Sequence, residues 1–315
     1  MPTAVVAAAY GGPENLSLVE VDVPEPGPGQ VTVEVRAVGV NPYDVKLYSG
    51  AFGEDPAKLP LRLGSEAAGV VTAVGPDAAG PLGPIAVGDE VIVYPVPGAY
   101  ASRLTVRAGA VLPKPPALDW EQAAGLMLTG VTAVHALTVT AVGAGDSLLL
   151  HAAAGGVGLM AVQLAVARGA RVIGTAAQSK HVLVRELGGE PVVYGPGLAD
   201  RVRALAPDGV TAAIDAVGTD EAVDVSVQLV ADRGRIATIA AFRRGGELGL
   251  KLLGGGPGAD AGTVVRDQAR LELVRLVGEG RLRVLVGATY PLGDVRAAHQ
   301  AVLAGGTVGK IILRP

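Results

Sequence analysis

Cysteine is absent from this chain of 315 residues, which excludes disulfide bonds and zinc sites with thiolate ligands. Aromatic residues make up only 3% of the chain, so extensive ring stacking on a large ligand is not expected. A net charge of −4 leaves no electrostatic footprint for nucleic acid or an anionic membrane surface, and we expect neither as a partner. Lysine is scarce, so a lysine in a motif is more informative than an arginine; the lysines are Lys46, Lys58, Lys114, Lys180, Lys251 and Lys310.

A targeting segment and a membrane span are both missing from the sequence pattern. The chain opens on Met1-Pro2-Thr3-Ala4-Val5-Val6, without a basic stretch followed by an apolar core. Two uncharged stretches, 123–145 and 147–167, are long enough to cross a bilayer, but glycines and a histidine interrupt each of them. We interpret both as buried elements and expect a cytoplasmic protein.

The most informative stretch is 148–165, where an apolar strand runs into a glycine turn that opens an amphipathic helix. Ala153, Gly155 and Gly158 have the G-x-G-x-x-G spacing, with alanine at the first place. A second apolar strand, 171–175, follows one helix length later. In this geometry the amides at a helix N-terminus hold a pyrophosphate. We therefore predict nucleotide binding by Gly155, Gly156 and Val157.

The two parts of the chain differ in their patterns. Residues 1–119 are punctuated by proline and glycine, and Val31–Val38 alternates as a half-buried strand does, which favours a compact barrel-like β domain. From Asp119 onward we predict a helix over Trp120–Leu137, then alternating strands and helices, a glycine-rich loop over Gly245–Gly262 and a helix over Val264–Leu276. Repeated strand–helix units indicate an α/β fold with a doubly wound parallel sheet. The strands are predicted near 147–152, 171–175, 191–194, 211–216, 233–240 and 310–313.

Several segments in this order resemble the medium-chain dehydrogenase/reductase superfamily, in particular its zinc-free quinone oxidoreductase branch. The segments are Val40-Asn41-Pro42-Tyr43-Asp44, Gly64-Ser65-Glu66-Ala67-Ala68-Gly69-Val70-Val71, Gly88-Asp89-Glu90-Val91, the turn 153–158, Asp215-Ala216-Val217-Gly218 and Gly309-Lys310. The resemblance implies a GroES-like catalytic domain (1–119 with 290–315) and a Rossmann NADPH-binding domain (120–289). It also implies an active site in the cleft between the two domains.

The resemblance further implies that no catalytic metal is held. Zinc-dependent members have a Cys-x-x-Asp and a Gly-His-Glu segment, and here Asn41 and Ser65 stand at the first two ligand places. A zinc site needs thiolate and imidazole donors, and we interpret His135 and His151 as packing residues. Without a metal, hydride transfer to an electron-poor quinone or α,β-unsaturated carbonyl is the expected chemistry.

The cofactor is predicted to be NADPH rather than NADH. No carboxylate follows the second strand until Glu186, whereas Ser179 and Lys180 could bind a 2′-phosphate. The family uses a lysine here and a later tyrosine, which Tyr194 matches. The structural alternative is that Ser179 caps a helix and Lys180 lies in its solvated first turn.

The nicotinamide end is assigned by resemblance. Asn41 could instead be a turn residue before Pro42, and Lys310 could be a surface lysine at a strand start. The residues implied to contact the nicotinamide end or a nearby phosphate are Asn41, Thr132, Gly218 and Lys310. Val217 and Gly218 are implied to allow close approach of the cofactor, and Phe242 is a further cofactor-binding candidate.

The proton donor is less well marked. Tyr43 or Lys46 could donate the proton, whereas Phe52 stands where related reductases often have tyrosine. The alternative is that both Tyr43 and Lys46 are exposed loop residues and that solvent supplies the proton.

Two other functions stay open from the sequence. An enoyl-thioester reductase would need a basic entry path, for which Arg243 and Arg244 are candidates. A non-catalytic NADPH-binding sensor or scaffold would also retain the glycine turn. Family members commonly pair through the cofactor domain, and Arg281–Val286 is a candidate edge strand for a homodimer.

Overall fold

The computed structural model describes residues 1–315 as eighteen strands and ten α-helices. The strands are β1 (Thr3–Ala7), β2 (Leu16–Glu20), β3 (Gln30–Val40), β4 (Leu61–Arg62), β5 (Ala67–Val74), β6 (Ala79–Gly80), β7 (Gly83–Pro84), β8 (Glu90–Val93), β9 (Arg103–Arg107), β10 (Val111–Pro113), β11 (Ser147–His151), β12 (Arg171–Thr175), β13 (Glu190–Val192), β14 (Ala212–Asp215), β15 (Ile236–Thr238), β16 (Lys251–Leu252), β17 (Val286–Pro291) and β18 (Lys310–Arg314). The helices are α1 (Pro42–Tyr48), α2 (Trp120–Ala124), α3 (Met127–Val139), α4 (Gly156–Ala167), α5 (His181–Glu186), α6 (Leu198–Leu205), α7 (Asp220–Leu229), α8 (Phe242–Glu247), α9 (Thr263–Gly278) and α10 (Val295–Ala304). None of these helices combines the length and the apolar character that crossing a bilayer requires.

The chain forms two compact units, one of residues 1–128 with 273–315 and one of residues 129–272. The first unit therefore includes α2 and residues 273–289, which the sequence-based division assigns to the nucleotide-binding domain. One reason is that β17 pairs with β18, and β18 in turn pairs with β3 of the first unit.

The first unit is built on a sheet of seven strands in the order β10-β8-β5-β3-β18-β17, with β9 also paired to β3. β1, β2 and β4 form a smaller sheet. β3 buries its valines because it lies inside the larger sheet, and this confirms the strand predicted over 31–38. β18 runs antiparallel to β3 with Ile311 opposite Val40, so the first residue of β18 lies beside the end of β3.

The second unit is a parallel sheet of six strands in the order β13-β12-β11-β14-β15-β16. The chain builds outward from β11 to β13 and then restarts on the other side with β14. This reversal of strand order marks a topological switch point between β11 and β14, where open α/β sheets bind ligands at the carboxyl ends of their strands. The predicted doubly wound sheet is confirmed.

The structure corrects three local predictions. The helix predicted over Trp120–Leu137 is divided into α2 and α3 at Gly125, where a β-carbon would lie 3.0 Å from the Lys310 side chain. Arg281–Val286 is not a strand: only Val286 is extended into β17, which pairs with β18 of the first unit. The segment Gly245–Gly262 is not loop throughout, because it contains the end of α8 and the edge strand β16.

Candidate functional site

The glycine turn after β11 has the geometry of a nucleotide cradle. Gly155 is the N-cap of α4, and its amide donates to the Ala152 carbonyl at 2.9 Å. A β-carbon at Gly158 would lie 2.1 Å from that same carbonyl oxygen, so only glycine lets α4 approach the strand this closely. The turn and the helix N-terminus fit the pyrophosphate of a dinucleotide.

Alanine at the first place of the motif is accommodated by the neighbouring strand. Ala153 is fully buried, and its amide donates to the Thr175 carbonyl at 2.9 Å. Its methyl group faces Gly174 of β12, where an added β-carbon would lie 2.5 Å away. The space that the motif usually obtains from its own glycine is therefore supplied by Gly174.

The residues predicted for the 2′-phosphate follow β12 and β13. Ser179 is exposed and Lys180 half-buried, in a short 3₁₀ turn before α5. The N-cap of α5 is Lys180, without a side-chain capping bond, so the alternative that Ser179 caps this helix is wrong. Tyr194 follows β13 and is 56% exposed. The parallel sheet brings the carboxyl ends of these two strands to one edge.

A buried carboxylate shapes the turn after β14. Asp215 Oδ1 accepts the amides of Val217 at 2.9 Å and Gly218 at 2.8 Å. Its Oδ2 accepts the Thr238 hydroxyl at 2.7 Å, which ties the turn to β15. Gly218 has φ +85°, and a β-carbon there would lie 2.8 Å from the methyl group of Ala240. Asp215 thus organises the turn after β14.

The two histidines named as packing residues are both buried in the second unit. His135 Nε2 lies 3.1 Å from Asp260 Oδ2, and the ring is covered by Gly262. His151 Nε2 lies 3.1 Å from the Ser226 hydroxyl, and burial lowers the pKa of His151 to about 4. Thr132 is buried in α3, and Phe242 is the half-buried first residue of α8.

In the first unit, Asn41, Glu66 and Lys310 form a buried polar cluster. The Lys310 ammonium donates to Glu66 Oε1 at 2.9 Å, to the Val40 carbonyl at 3.1 Å and to Asn41 Oδ1. Asn41 Nδ2 donates to Glu66 Oε1 at 3.0 Å, and Glu66 Oε2 accepts the Leu128 amide at 2.7 Å. The alternative of a surface lysine is wrong, since Lys310 is 3% exposed and its three N–H groups are all engaged.

The candidate proton donors lie on a helix. Tyr43 and Lys46 are half-buried residues of α1, so the alternative of exposed loop residues is wrong. Tyr43 packs on Phe52 with ring centroids 5.7 Å apart. Burial, together with the charge of Asp44, raises the pKa of Tyr43 above 10, so its hydroxyl keeps its proton at neutral pH.

Beneath α1 lies a buried hydrogen-bonded chain that sequence reasoning missed. The Tyr100 hydroxyl donates to Asp44 Oδ2 at 2.9 Å and lies 3.1 Å from His299 Nε2, and His299 Nδ1 lies 3.1 Å from the Tyr48 hydroxyl. Asp44 Oδ1 has no hydrogen-bond partner. Burial raises the pKa of Asp44 to about 7 and lowers that of His299 to about 4.

Glu66 is a further residue to which sequence reasoning assigned no role. A signal was available, because Glu66 is a single charge at the start of the apolar run Ala67–Val71. A carboxylate in such a position is rarely buried unless it is paired. Its partners are Lys310 of β18, Asn41 before α1 and the Leu128 amide in the first turn of α3, and no local pattern connects them to it.

The fold and the glycine turn define a two-unit dehydrogenase or reductase that binds a nicotinamide dinucleotide. Family models match both parts, "Alcohol dehydrogenase GroES-like domain" over residues 27–116 and "Zinc-binding dehydrogenase" over residues 156–278. The chain is 35% identical to a quinone oxidoreductase of Pseudomonas aeruginosa, with all of both chains covered. Among solved structures it is similar to mycobacterial Rv1454c complexed with NADPH (33% identity, TM-score 0.86, all of both chains) and to the CurK enoyl reductase (26% identity, TM-score 0.84, 99% of both chains).

The chain belongs to the quinone oxidoreductases of the medium-chain dehydrogenase/reductase superfamily. It is an NADPH-dependent oxidoreductase, which sets aside a purely non-catalytic role. The predicted cofactor, NADPH, is confirmed.

Proposed function

We propose that this enzyme works without zinc and reduces a quinone or an α,β-unsaturated carbonyl. The observation that carries the proposal is the bond between the Lys310 ammonium and Asn41 Oδ1. Asn41 stands at the first ligand place of the zinc-dependent relatives, and Ser65 at the second. A divalent cation on Asn41 would meet a buried positive charge, and neither side chain offers a thiolate or an imidazole.

Without a Lewis acid, the acceptor itself must stabilise the negative charge that arrives with the hydride. Bound NADPH supplies that hydride, and the protein supplies position and hydrogen bonds. Quinones and conjugated ketones fit because the charge delocalises onto their oxygen atoms. A simple alcohol or saturated aldehyde lacks this delocalisation.

Most of the residues assigned to the cofactor lie just after β11, β12, β13 and β14. Thr132 lies in α3, Phe242 begins α8, and Asn41 and Lys310 belong to the first unit. The amides of Gly156 and Val157 would hold the pyrophosphate, and Gly155, whose own amide is bonded to the Ala152 carbonyl, would let the backbone approach it. Ser179, Lys180 and Tyr194 would hold the 2′-phosphate. A carboxylate-free turn beside a lysine is what a phosphate group requires. For the nicotinamide end or a nearby phosphate we retain Asn41, Thr132, Gly218 and Lys310, with Val217 and Gly218 allowing close approach and Phe242 as a further cofactor-binding residue. Because the three N–H groups of Lys310 are engaged within the protein, Lys310 would act there by holding Asn41.

Tyr43 and Lys46 are proposed as the groups that deliver the proton to the reduced acceptor. Both lie on α1, which begins directly after Asn41. The phenol of Tyr43 is protonated at neutral pH, as a tyrosine with its ordinary pKa is, and burial raises its pKa further. Loss of the hydroxyl in Tyr43→Phe should lower kcat more than KM. Tyr10→Phe is the control, because it removes an exposed hydroxyl that is bound to the Asp55 backbone.

The test is the initial rate of NADPH oxidation against a benzoquinone, a conjugated ketone, an enoyl thioester and a saturated aldehyde. We expect turnover of the first two that is unchanged by a metal chelator and slower with NADH. Turnover that is lost on chelation and restored by zinc would refute the zinc-free proposal. Turnover confined to the thioester would move the assignment to the enoyl reductase alternative, which the similarity to CurK favours.

We also propose that the enzyme pairs with a second copy. Because Arg281–Val286 is not a strand, pairing through the parallel sheet would have to use one of its two terminal strands, β13 or β16. Light scattering of the purified protein tests the pairing. A monomer at all accessible concentrations would contradict it.

A further inference from the structure

The loop that carries Tyr194 is held by one arginine. Arg201 of α6 donates from Nε and Nη2 to the Val193 carbonyl, at 3.1 and 3.0 Å. Nη2 also donates to the Gly195 carbonyl at 2.8 Å, and Nη1 to the Pro196 carbonyl at 2.7 Å. The guanidinium therefore binds backbone carbonyls on both sides of Tyr194.

These carbonyls have left the sheet, because β13 ends at Val192. A planar guanidinium presents its donors in a fixed fork, so several bonds to one loop define the loop's position as well as its stability. A lysine at this place would keep the charge but not the fork.

A carboxylate also holds this loop. The amide of Gly195 donates to Glu221 Oε2 of α7 at 2.9 Å. Gly195 and Gly197 have φ of +99° and +80°, so the loop has intrinsic backbone freedom that these contacts restrict. The side chain of Tyr194 itself is 56% exposed and is not immobilised by a core.

We propose that Arg201 is a positioning residue for the 2′-phosphate of NADPH: it fixes the backbone around Tyr194 so that the phenol is held where that phosphate binds. Glu221 assists through the Gly195 amide. The inference rests on the role proposed above for Tyr194. It adds two side chains that do not themselves touch the cofactor.

The test compares two probes that differ only in the 2′-phosphate, 2′,5′-ADP and 5′-AMP, by calorimetric titration of the whole chain. Arg201→Lys should weaken 2′,5′-ADP about tenfold, the size of one or two lost hydrogen bonds, and change 5′-AMP by less than about twofold. Arg203→Gln is the matched control, since this arginine lies on the same helix and pairs with Asp200 only. It should change neither affinity.

A double variant tests whether Arg201 acts through the phenol. In a Tyr194→Phe background, Arg201→Lys should cause no additional loss for 2′,5′-ADP. Three outcomes would each overturn the proposal. One is that Arg201→Lys weakens 2′,5′-ADP binding as much in the Tyr194→Phe background as in the wild type. The others are that Arg201→Lys weakens both probes equally, or that neither Arg201→Lys nor Tyr194→Phe alone has an effect. Should Arg201→Lys fail to fold, Glu221→Ala should weaken 2′,5′-ADP selectively, by about threefold. The readout is binding, so its outcome is independent of zinc and of which acceptor the enzyme reduces.

Discussion

Acidification should change the folding free energy in two opposite directions through two groups of the buried hydrogen-bonded chain beneath α1, His299 and Asp44. His299 is fully buried between the hydroxyls of Tyr48 and Tyr100, and burial lowers its pKa from 6.5 to about 4. Between these values the unfolded chain holds a proton that folded His299 does not. At about 1.4 kcal/mol per pKa unit, this costs about 3 kcal/mol of folding free energy as the pH falls from 6.5 to 4.

Asp44 has the opposite sign. Burial raises its pKa from 3.8 to about 7, so the folded protein takes up this proton before the unfolded chain does. Falling pH therefore restores about 4 kcal/mol that the buried carboxylate costs above pH 7. The two contributions nearly cancel, and together they should give the wild-type protein little net pH dependence across this window.

The cancellation makes single variants informative. In His299→Gln the acid-sensitive group is removed while Asp44 remains. This variant should therefore gain about 2 to 3 kcal/mol of folding free energy relative to wild type as the pH falls from about 7.5 to about 4.5. Asp44→Asn should lose about 3 kcal/mol relative to wild type over the same interval. Both differences are independent of the absolute cost of each substitution.

These differences in the free energy of unfolding can be measured by urea unfolding, with tryptophan fluorescence as the signal from the first structural unit. Trp120 is the only tryptophan, and it lies in the same compact unit as His299 and Asp44. His151, whose pKa is also lowered to about 4, is common to all variants and drops out of the comparison. Parallel pH dependence of wild type and His299→Gln would show that His299 is protonated normally in the folded protein and would refute the reasoning.

Two further predictions concern buried groups elsewhere. Glu66→Ala leaves the Lys310 ammonium buried without its counter-ion and should lower the free energy of unfolding in urea by about 3 to 5 kcal/mol. The double variant Glu66→Ala/Lys310→Met should regain most of this stability. Equal losses in the single and the double variant would contradict an ion pair that must be kept or removed as a whole. Gly262→Ala would bring a methyl carbon within 2.2 Å of the His135 ring at a φ of +61° and should lower the thermal midpoint clearly. Gly280→Ala, at a φ of +69° with nothing within 4 Å, isolates the backbone cost, and an equal effect of the two would refute a steric clash.

The elements that could be predicted from the sequence are those with local causes. The strand–turn–helix at 148–165 could be predicted because the spacing of residues, the apolar runs and the placement of glycine are all local in the sequence. The parallel sheet followed from repeated strand–helix units, since parallel strands need crossover connections. The break at Gly125 could not be predicted from local pattern. At this position a β-carbon would lie 3.0 Å from the side chain of Lys310, which comes from the far end of the chain.

By itself the sequence determined the fold class, the nucleotide cradle and the missing zinc ligands, because these depend on residue type and short-range spacing. Only the tertiary structure decided that Lys310 is a buried partner of Asn41 and Glu66, that Gly174 makes room for Ala153, and that His299 reaches Asp44 through Tyr100. Each of these contacts joins segments far apart in the chain. Burial then changes the energy of a charge or a hydrogen bond, and no pattern within one segment records it.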